Sequence, residues 1–580
     1  MELLMMNVFR KMLPLLLASF VAIPLVADNI TSKAWMLKDE RKVNNAKAYD
    51  IYRPVNSLPF WKNINPMTGP VAVSVWFPVA SEVTVSGVKC QSIHESFKAT
   101  MQTWQDGRWS DAGKAKRIFF RPKPPVNTHL LRFVLRDITN KDHDCLGLLN
   151  WRIDGSAPGQ ALYNPADMDL SCDAADNTFL LGTDARLKVT VGDKTGLVKK
   201  FKLTASLISF QGNVVIPENV IKSFSLNKGQ VRDSILTFKH GVQGPYFVTA
   251  FLYDEITGIL LAAKRILIGF RDPAMFEDGK VAEFISGYDG KIMSMDERIA
   301  ENGTIFSADA TQSVTGRGRQ PGDAFFNKIK SVEGEMLMSF LRYSDFEPLP
   351  GVYNFEYFDH MVKKAGKYGL GLEAGLWWWD FQGPTQYWLK DERLRRRDGT
   401  TGKHKKGIFS IHSRKFSKHA KRATELFVKR YRNCPEIWFW HPHAYGGVDH
   451  DGEGIYDFHP DTLQDWAEYL QKKYVSINKL NKAYGSKYKN WKAVPVPAPL
   501  YEKFDKQKDF KSMVNVVDTR PQWVDWLDFY HRGLLDFRID MMKLVRKYDK
   551  KRGISGVNAT GGVGKADLTY AKLKEYDAFY

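Results

Sequence analysis

The chain has 580 residues, 44% of them hydrophobic and 13% aromatic. That composition excludes a disordered or low-complexity protein and supplies about two to four packed domains. Its formal net charge is +19, which raises nucleic acid as a partner until the N-terminus is read.

Arg10 and Lys11 precede an apolar run from Met12 to Val26, and the small Ala27 offers a cleavage point before Asp28. This is the pattern of a signal peptide over 1–27, too short to be read as a spanning helix. The expected location is therefore secreted or periplasmic, with no transmembrane segment once the signal is removed. For an exported protein, an anionic polysaccharide or cell surface is the better partner for the positive charge, and no nucleic acid is expected. Export also lets cysteines oxidise. Of the four, Cys90, Cys145 and Cys172 lie in the first third and Cys434 far from them. One disulfide among the first three is open, with its pairing undetermined. Their spacing does not fit a short paired zinc site, so no metal and no cofactor is assigned.

From 28 to 165, short alternating runs such as VAVSVWF (71–77) and LLRFVLRD (130–137) are separated by Gly, Pro, Asn and Asp. That pattern predicts a β-sandwich. Within it, Thr103 to Asp111 puts two tryptophans around a turn. Exposed, they would make a carbohydrate-binding surface; buried, they would be ordinary core. A second set of strand-length runs over 176–272 predicts an immunoglobulin-like β-sandwich acting as a spacer.

After Pro273, strands alternate with helices, the grammar of a parallel sheet. The expected strands are AEFISGY (282–288), MLMSFLRY (336–343), LGLEAGLWWW (370–379), the apolar part of PEIWFWHPHAYGG (435–447), GISGVNATGG (553–562) and KEYDAFY (574–580). Between the second and third, Phe358, Met361, Val362 and Ala365 recur at helical spacing and Gly369 stops the helix. Phe416, Ala420, Ala423, Phe427 and Tyr431 make a second stripe. Leu463, Trp466, Leu470 and Tyr474 make a third, with Asp461 as its expected cap. A long helix is expected from about 521 to 548. The unit over 280–580 thus reads as a (β/α)₈ TIM-type barrel with about six strands present, whose site lies at the C-terminal strand ends. Eight strands are needed to close such a barrel, so the chain is expected to be a fragment.

Charge concentrates in this unit: 390–432 holds 16 Lys and Arg against 4 Asp and Glu, a net of +12. Much of this falls opposite the apolar stripe of one helix and reads as a solvated face. The loop part, Arg393 to Lys406, is a candidate lining for an anionic substrate's path.

Four stretches in order carry a resemblance. They are FEPLPGVYNFEYFD (346–359), GPTQYWLKDERLRRRDGTTG (383–402), FVKRYRNCPEIWFWHPHAYGG (427–447) and DWAEYLQKKYVSINKLNKAYGSKYKNW (465–491). Together they resemble glycoside hydrolase family 42, the β-galactosidase-like branch of the retaining barrels, over roughly half the chain. The resemblance implies hydrolysis of β-linked galactose-containing carbohydrate by two carboxyl groups about 5 to 5.5 Å apart. It also implies an Asn-Glu pair at the end of the fourth strand and a nucleophilic Glu on the seventh, which is expected beyond Tyr580. Matching the Tyr-Gly that follows the pair, here Tyr445 and Gly446, places His443 and Ala444 at the Asn-Glu positions. Alanine transfers no proton.

Three readings of Ala444 stand. The acid has moved into the following loop, as Asp449, Asp451 or Glu453, where shielding from water would keep it protonated. His441 or His443 takes the role, since strand periodicity points both to the same side. Or the domain binds sugar without cutting it. A metal cluster formed by the His-x-His and the Asp-His-Asp beyond it is a minor alternative. Trp377, Trp378 and Trp379, at the end of the third strand, are candidates for a sugar-stacking platform or for packing. Asp380, Asn558 and Arg342, at or near strand ends, are candidate sugar ligands by position, and His441 and Tyr445 join them. Oligomeric state is not legible in the sequence.

Overall fold

The computed structural model describes residues 27–554 other than 38–47, 57–59, 64–70, 93–95, 106–107, 140–144, 295–296, 298–306, 310–319, 378–387, 396–398, 400–408, 445–456 and 498–519. The predicted signal peptide and the expected sixth strand lie outside these residues.

Two six-stranded antiparallel sheets form the first unit. Cys145–Ser156 and Val83–Ser92 are central in one sheet, Val71–Trp76 and Leu130–Thr139 in the other. Alternate residues such as Val73, Val85, Leu131, Phe133 and Ile153 are fully or almost fully buried in one core, as period-two strands with one apolar face require. In the second unit a three-stranded sheet and a six-stranded sheet share a separate core built on Leu187, Leu203, Val248 and Ile266. The strand Ala166–Cys172, from the stretch between the two expected sandwiches, pairs with Asp184–Asp193 in this second unit. Tyr49–Asp50 reaches across from the first unit to pair with Arg265 and Lys264.

The paired tryptophans of the first unit have a definite place. Trp104 and Trp109 are direct cross-strand partners with rings 5.2 Å apart, edge to face, and both pack against the core of the second unit. Gly258 has φ +72°, and a Cβ there would fall 1.3 Å from Trp104 Nε1. The indole therefore lies against the backbone of the neighbouring unit.

The C-terminal unit is a parallel sheet in chain order, β1 (Ser307–Asp309), β2 (Met336–Arg342), β3 (Gly371–Trp377), β4 (Ile437–Ala444) and β5 (Gly553–Ile554). Its helices are α1 (Asp323–Ser331), α2 (Glu356–Tyr368), α3 (Arg414–Tyr431), α4 (Pro460–Tyr474), α5 (Ile477–Tyr484) and α6 (Pro521–Tyr548). Among the described residues this is a five-stranded parallel sheet with interspersed helices, an arrangement consistent with a partial (β/α) barrel. The expected first strand at 282–288 is not one. Ile285 there is 90% exposed, and the segment runs along the end of α3 instead, with Phe284 N donating to Arg430 O at 2.8 Å and Glu283 paired to Arg432. Of the expected fifth strand only Gly553–Ile554 is described.

The helical stripes are mostly as the spacing requires. Phe358, Met361, Val362 and Ala365 of α2 and Phe416, Ala420, Ala423, Phe427 and Tyr431 of α3 are buried, and Gly369 ends α2 in the left-handed conformation. In α4, Trp466 and Leu470 are buried but Leu463 is 40% exposed. The cap of α4 is His459, whose Nδ1 accepts from Asp461 N at 3.2 Å. Asp461 is turned to another use: its carboxylate accepts from Arg414 N at 2.8 Å, in the first turn of α3, whose cap is Ser413.

The basic face of α3 is not simply solvated. Arg414 pairs with Asp465, Lys421 with Asp540, Lys429 with Glu425 and Arg430 with Asp359. Much of the helix's charge is thus neutralised by carboxylates, most of them on neighbouring elements. Most of the basic loop, 396–398 and 400–408, lies outside the described residues. Arg552, 1% exposed, donates to Ile437 O at 2.7 Å, to Cys434 O at 2.6 Å and to Asp549 at 2.6 Å. This guanidinium joins the end of α6, the turn after α3 and the start of β4.

Candidate active site on the inner face of the parallel sheet

One face of the parallel sheet packs on helices through Leu337, Leu341, Leu372, Ala374, Leu376 and Trp440. Alternation sends Phe340, Glu373 and His441 to the other. Phe340, Gly375 and His441 are register partners across β2, β3 and β4. Gly375 is what lets its neighbours meet. A Cβ on it would fall 2.3 Å from His441 O and 3.1 Å from Phe340 Cδ1, and with only hydrogen there the Phe340 and His441 rings approach to 4.7 Å.

His441 is 5% exposed and Glu373 is fully buried, and Glu373 Oε1 lies 2.7 Å from His441 Nδ1. A buried carboxylate needs such a partner. The bond also orients the imidazole. Arg342 closes β2, half-buried, and falls by alternation on the same face as Phe340.

The C-terminal ends of β2, β3 and β4 lie side by side: Arg342 pairs with Trp377 and Trp377 with Ala444. These predicted site positions therefore share one rim. Between the pairs Gly375–His441 and Trp377–Ala444 the register shifts, because β4 has one residue more than β3. Trp378, Trp379, Asp380, Tyr445, Asp449, Asp451, Glu453 and Asn558 lie outside the described residues.

Loops beside this rim are held by buried carboxylates. Glu347, of the 346–359 motif, is fully buried and accepts from Tyr343 Oη at 2.7 Å and Gly351 N at 2.8 Å, with His419 Nδ1 at 3.2 Å. Asp457 binds Ser410 Oγ at 2.5 Å and Thr462 Oγ1 at 2.6 Å. The second antiparallel unit reaches the same loops. Leu349 and Val352 pack with Phe210, Phe247 and Leu267, and Ser209 Oγ donates to Glu356 at 3.2 Å.

Among the described residues, no group of three His, Cys, Asp or Glu side chains could hold a metal ion, and no helix is long and apolar enough to cross a membrane. Cys172 and Cys434 are free thiols.

Glu373 and Gly375 are the site residues that sequence reading missed. The available signal was a single carboxylate two residues before a glycine and four before Trp377 in an otherwise apolar strand, all on one face by period two.

Residues 336–576 match the glycoside hydrolase family 42 model, described as Beta-galactosidase. The match covers β2 to β5, the strands that carry the site. No curated protein matches the chain. Among solved structures, the β-galactosidase of the psychrophilic Marinomonas ef1 is 14% identical, with 43% of this chain and 37% of that one covered and a TM-score of 0.33. The enzyme of the Antarctic haloarchaeon Halorubrum lacusprofundi is 16% identical over 43% and 36%, with a TM-score of 0.32. The cold-adapted enzyme of Rahnella sp. R3 is 15% identical over 47% and 37%, with a TM-score of 0.33. This chain thus spans little more than a third of each of these β-galactosidases.

Proposed function

We propose that this chain is a carbohydrate-active protein of the glycoside hydrolase type, acting on β-linked galactose-containing glycan at the C-terminal ends of β2, β3 and β4. The observation that carries this is the buried Glu373–His441 pair on the inner face of the strands that match the β-galactosidase family model. In this reading Phe340 and the Trp377 rim supply apolar surface for a sugar's C–H face, and Arg342 supplies hydroxyl or carboxylate recognition. The acid that protonates the leaving oxygen comes from the loop after β4, from Asp449, Asp451 or Glu453, or from a β4 histidine. Retention of configuration, export through the N-terminal leader and a preference for acidic glycan belong to the same proposal. The excess of basic residues in the loop after β3 supports the last.

A second reading is favoured by one residue. Ala444, at the place where the family resemblance puts the acid/base Glu, has no proton to give, and the domain would then bind galactan without hydrolysing it. Assaying the full-length protein on aryl β-galactosides and a panel of neutral and sulfated galactans, beside Ala444→Glu, separates the two. Turnover by the parent establishes hydrolysis, and turnover by the variant alone establishes the binding reading. Release of no galactose by either, with no galactan retained on the protein, removes both.

A further inference from the structure

We propose that the outer face of one sheet of the first unit binds an anionic polysaccharide, a sulfated or carboxylated glycan, away from the site on the parallel sheet. The choice of a glycan over other polyanions rests on the carbohydrate-active reading above; the positive surface itself does not. Phe119, Lys89 and Arg152 are register partners across the neighbouring strands Phe119–Phe120, Val83–Ser92 and Cys145–Ser156. Phe120, Val88, Trp151 and Ile153, next to them in sequence, are buried in the core of the first unit. Alternation therefore puts the row of three on the face turned away from that core. These side chains are open to solvent: Phe119 is 52% exposed, the Arg152 side chain 63%, and Lys89 is exposed as well. The second unit packs against the other sheet, through Trp76 and Leu130.

What sets this face apart is positive charge without a counter-charge. The stretch from Lys114 to Lys123 carries five Lys and Arg and no Asp or Glu, and Lys114, Lys116, Arg117, Arg121 and Lys123 are all exposed. Asp154, the register partner of Gly87, is taken by Arg152 at 2.9 Å. Among the described residues, Lys89, Lys114, Lys116, Arg121 and Lys123 make no ion pair, whereas α3 has its cations matched by carboxylates. Clustered like charges raise the local potential, and a polyanion laid on them is drawn in and relieves the repulsion. Shape selects a polymer. Adjacent strands lie about 4.8 Å apart, so the row from Phe119 to Arg152 runs about 10 Å across an open sheet face, along which a chain meets one side chain after another. The aromatic ring points to sugar. Arg121 lies over the Phe119 ring at 5.4 Å, which puts a flat apolar surface among the cations, suited to the C–H face of a charged pyranose and of no use to a bare sulfate or phosphate ion.

The test is binding of the full-length protein to immobilised sulfated galactan, polygalacturonate, neutral galactan and duplex DNA, read by biolayer interferometry at low and high salt. The parent should bind at least one of the two anionic glycans and not the neutral one, and salt should weaken the binding. Sulfated galactan alone assigns sulfate esters, and both together assign anionic glycan in general. Lys89→Gln/Arg121→Gln/Lys123→Gln changes only exposed side chains and should weaken the binding about tenfold or more. Phe119→Ala should weaken it about threefold or more. Lys199→Gln/Lys222→Gln/Lys228→Gln takes the same three charges from exposed positions of the second unit and should change it less than about twofold. No binding to either anionic glycan, full binding by the first triple variant, equal losses in the two triple variants, or tighter binding to DNA than to the glycans overturns the proposal. Aryl β-galactoside turnover by the same proteins reads the parallel-sheet site separately. Turnover absent with binding intact strikes the reading of that site alone, and binding absent with turnover intact strikes this one.

Discussion

Glu373 and His441 face each other across neighbouring parallel strands, 2.7 Å apart and at most 7% exposed. Both groups are buried, so deleting one side chain takes a hydrogen bond from the other and leaves space in the core. Glu373→Ala should lower stability by about 1–3 kcal/mol, and Glu373→Gln by clearly less, because the amide oxygen still accepts from Nδ1–H. Urea unfolding measures both. Equal midpoints for the alanine and glutamine variants would remove the bond from the account.

Gly371 and Gly375 keep β3 close to its neighbours for different reasons. A Cβ on Gly371 would lie 2.0 Å from Trp438 Cδ2, and one on Gly375 would lie 2.3 Å from His441 O. Alanine at either should destabilise by about 1–3 kcal/mol or more, since the Trp438 indole must move to admit the first and the β4 backbone to admit the second. Gly375→Ala should also shift the His441 ring resonances, whereas Gly369→Ala, strained only in its own backbone, should not. Unchanged His441 resonances in Gly375→Ala would contradict the close approach.

Acid should weaken the fold through particular carboxylates. Burial works to raise Asp323, but bonds from Lys364 and Lys367 outweigh it and hold the group at about 2. Asp549 is likewise raised by burial yet held below its ordinary value by Arg552 and the bond from Trp440. A carboxyl group depressed in the folded state stabilises fully above its unfolded pKa, and loses that contribution as pH falls towards the folded one. The loss should therefore run from about pH 4 down to about pH 2. Asp323→Asn should flatten part of the slope in a series of urea midpoints taken across this range, and a slope identical to the parent's would refute its share.

Cys434 sits fully buried after α3. Burial, followed by the nearby Glu436 carboxylate, pushes its thiol up to about 12. Only the thiolate alkylates, so iodoacetamide at about pH 8 should leave Cys434 unmodified in the folded protein and modify it after unfolding. Mass spectrometry of the digested protein reads the difference, and rapid labelling of the folded chain would contradict the burial.

The sequence by itself determined the sheet-rich first half, the parallel unit and most of its helical stripes, because each is a local period of apolar residues with glycine or proline at its ends. Phe358 to Ala365 and Phe416 to Tyr431 are buried because 3.6-residue spacing leaves them no other face. It also placed His441, Arg342, Trp377 and Ala444 near one rim, since parallel strands bring their C-terminal ends together. Tertiary structure decided the rest, where the deciding contact is made by a residue far along the chain. The carboxylate of Asp461 accepts from the first turn of another helix, and His459 caps its own. AEFISGY has strand composition, yet it lies against α3 where Glu283 finds Arg432. Trp104 and Trp109 rest on Gly258 of the neighbouring unit, a contact no local pattern encodes. Above all, Glu373 was one acidic residue in an apolar run until the register of β3 and β4 set it against His441.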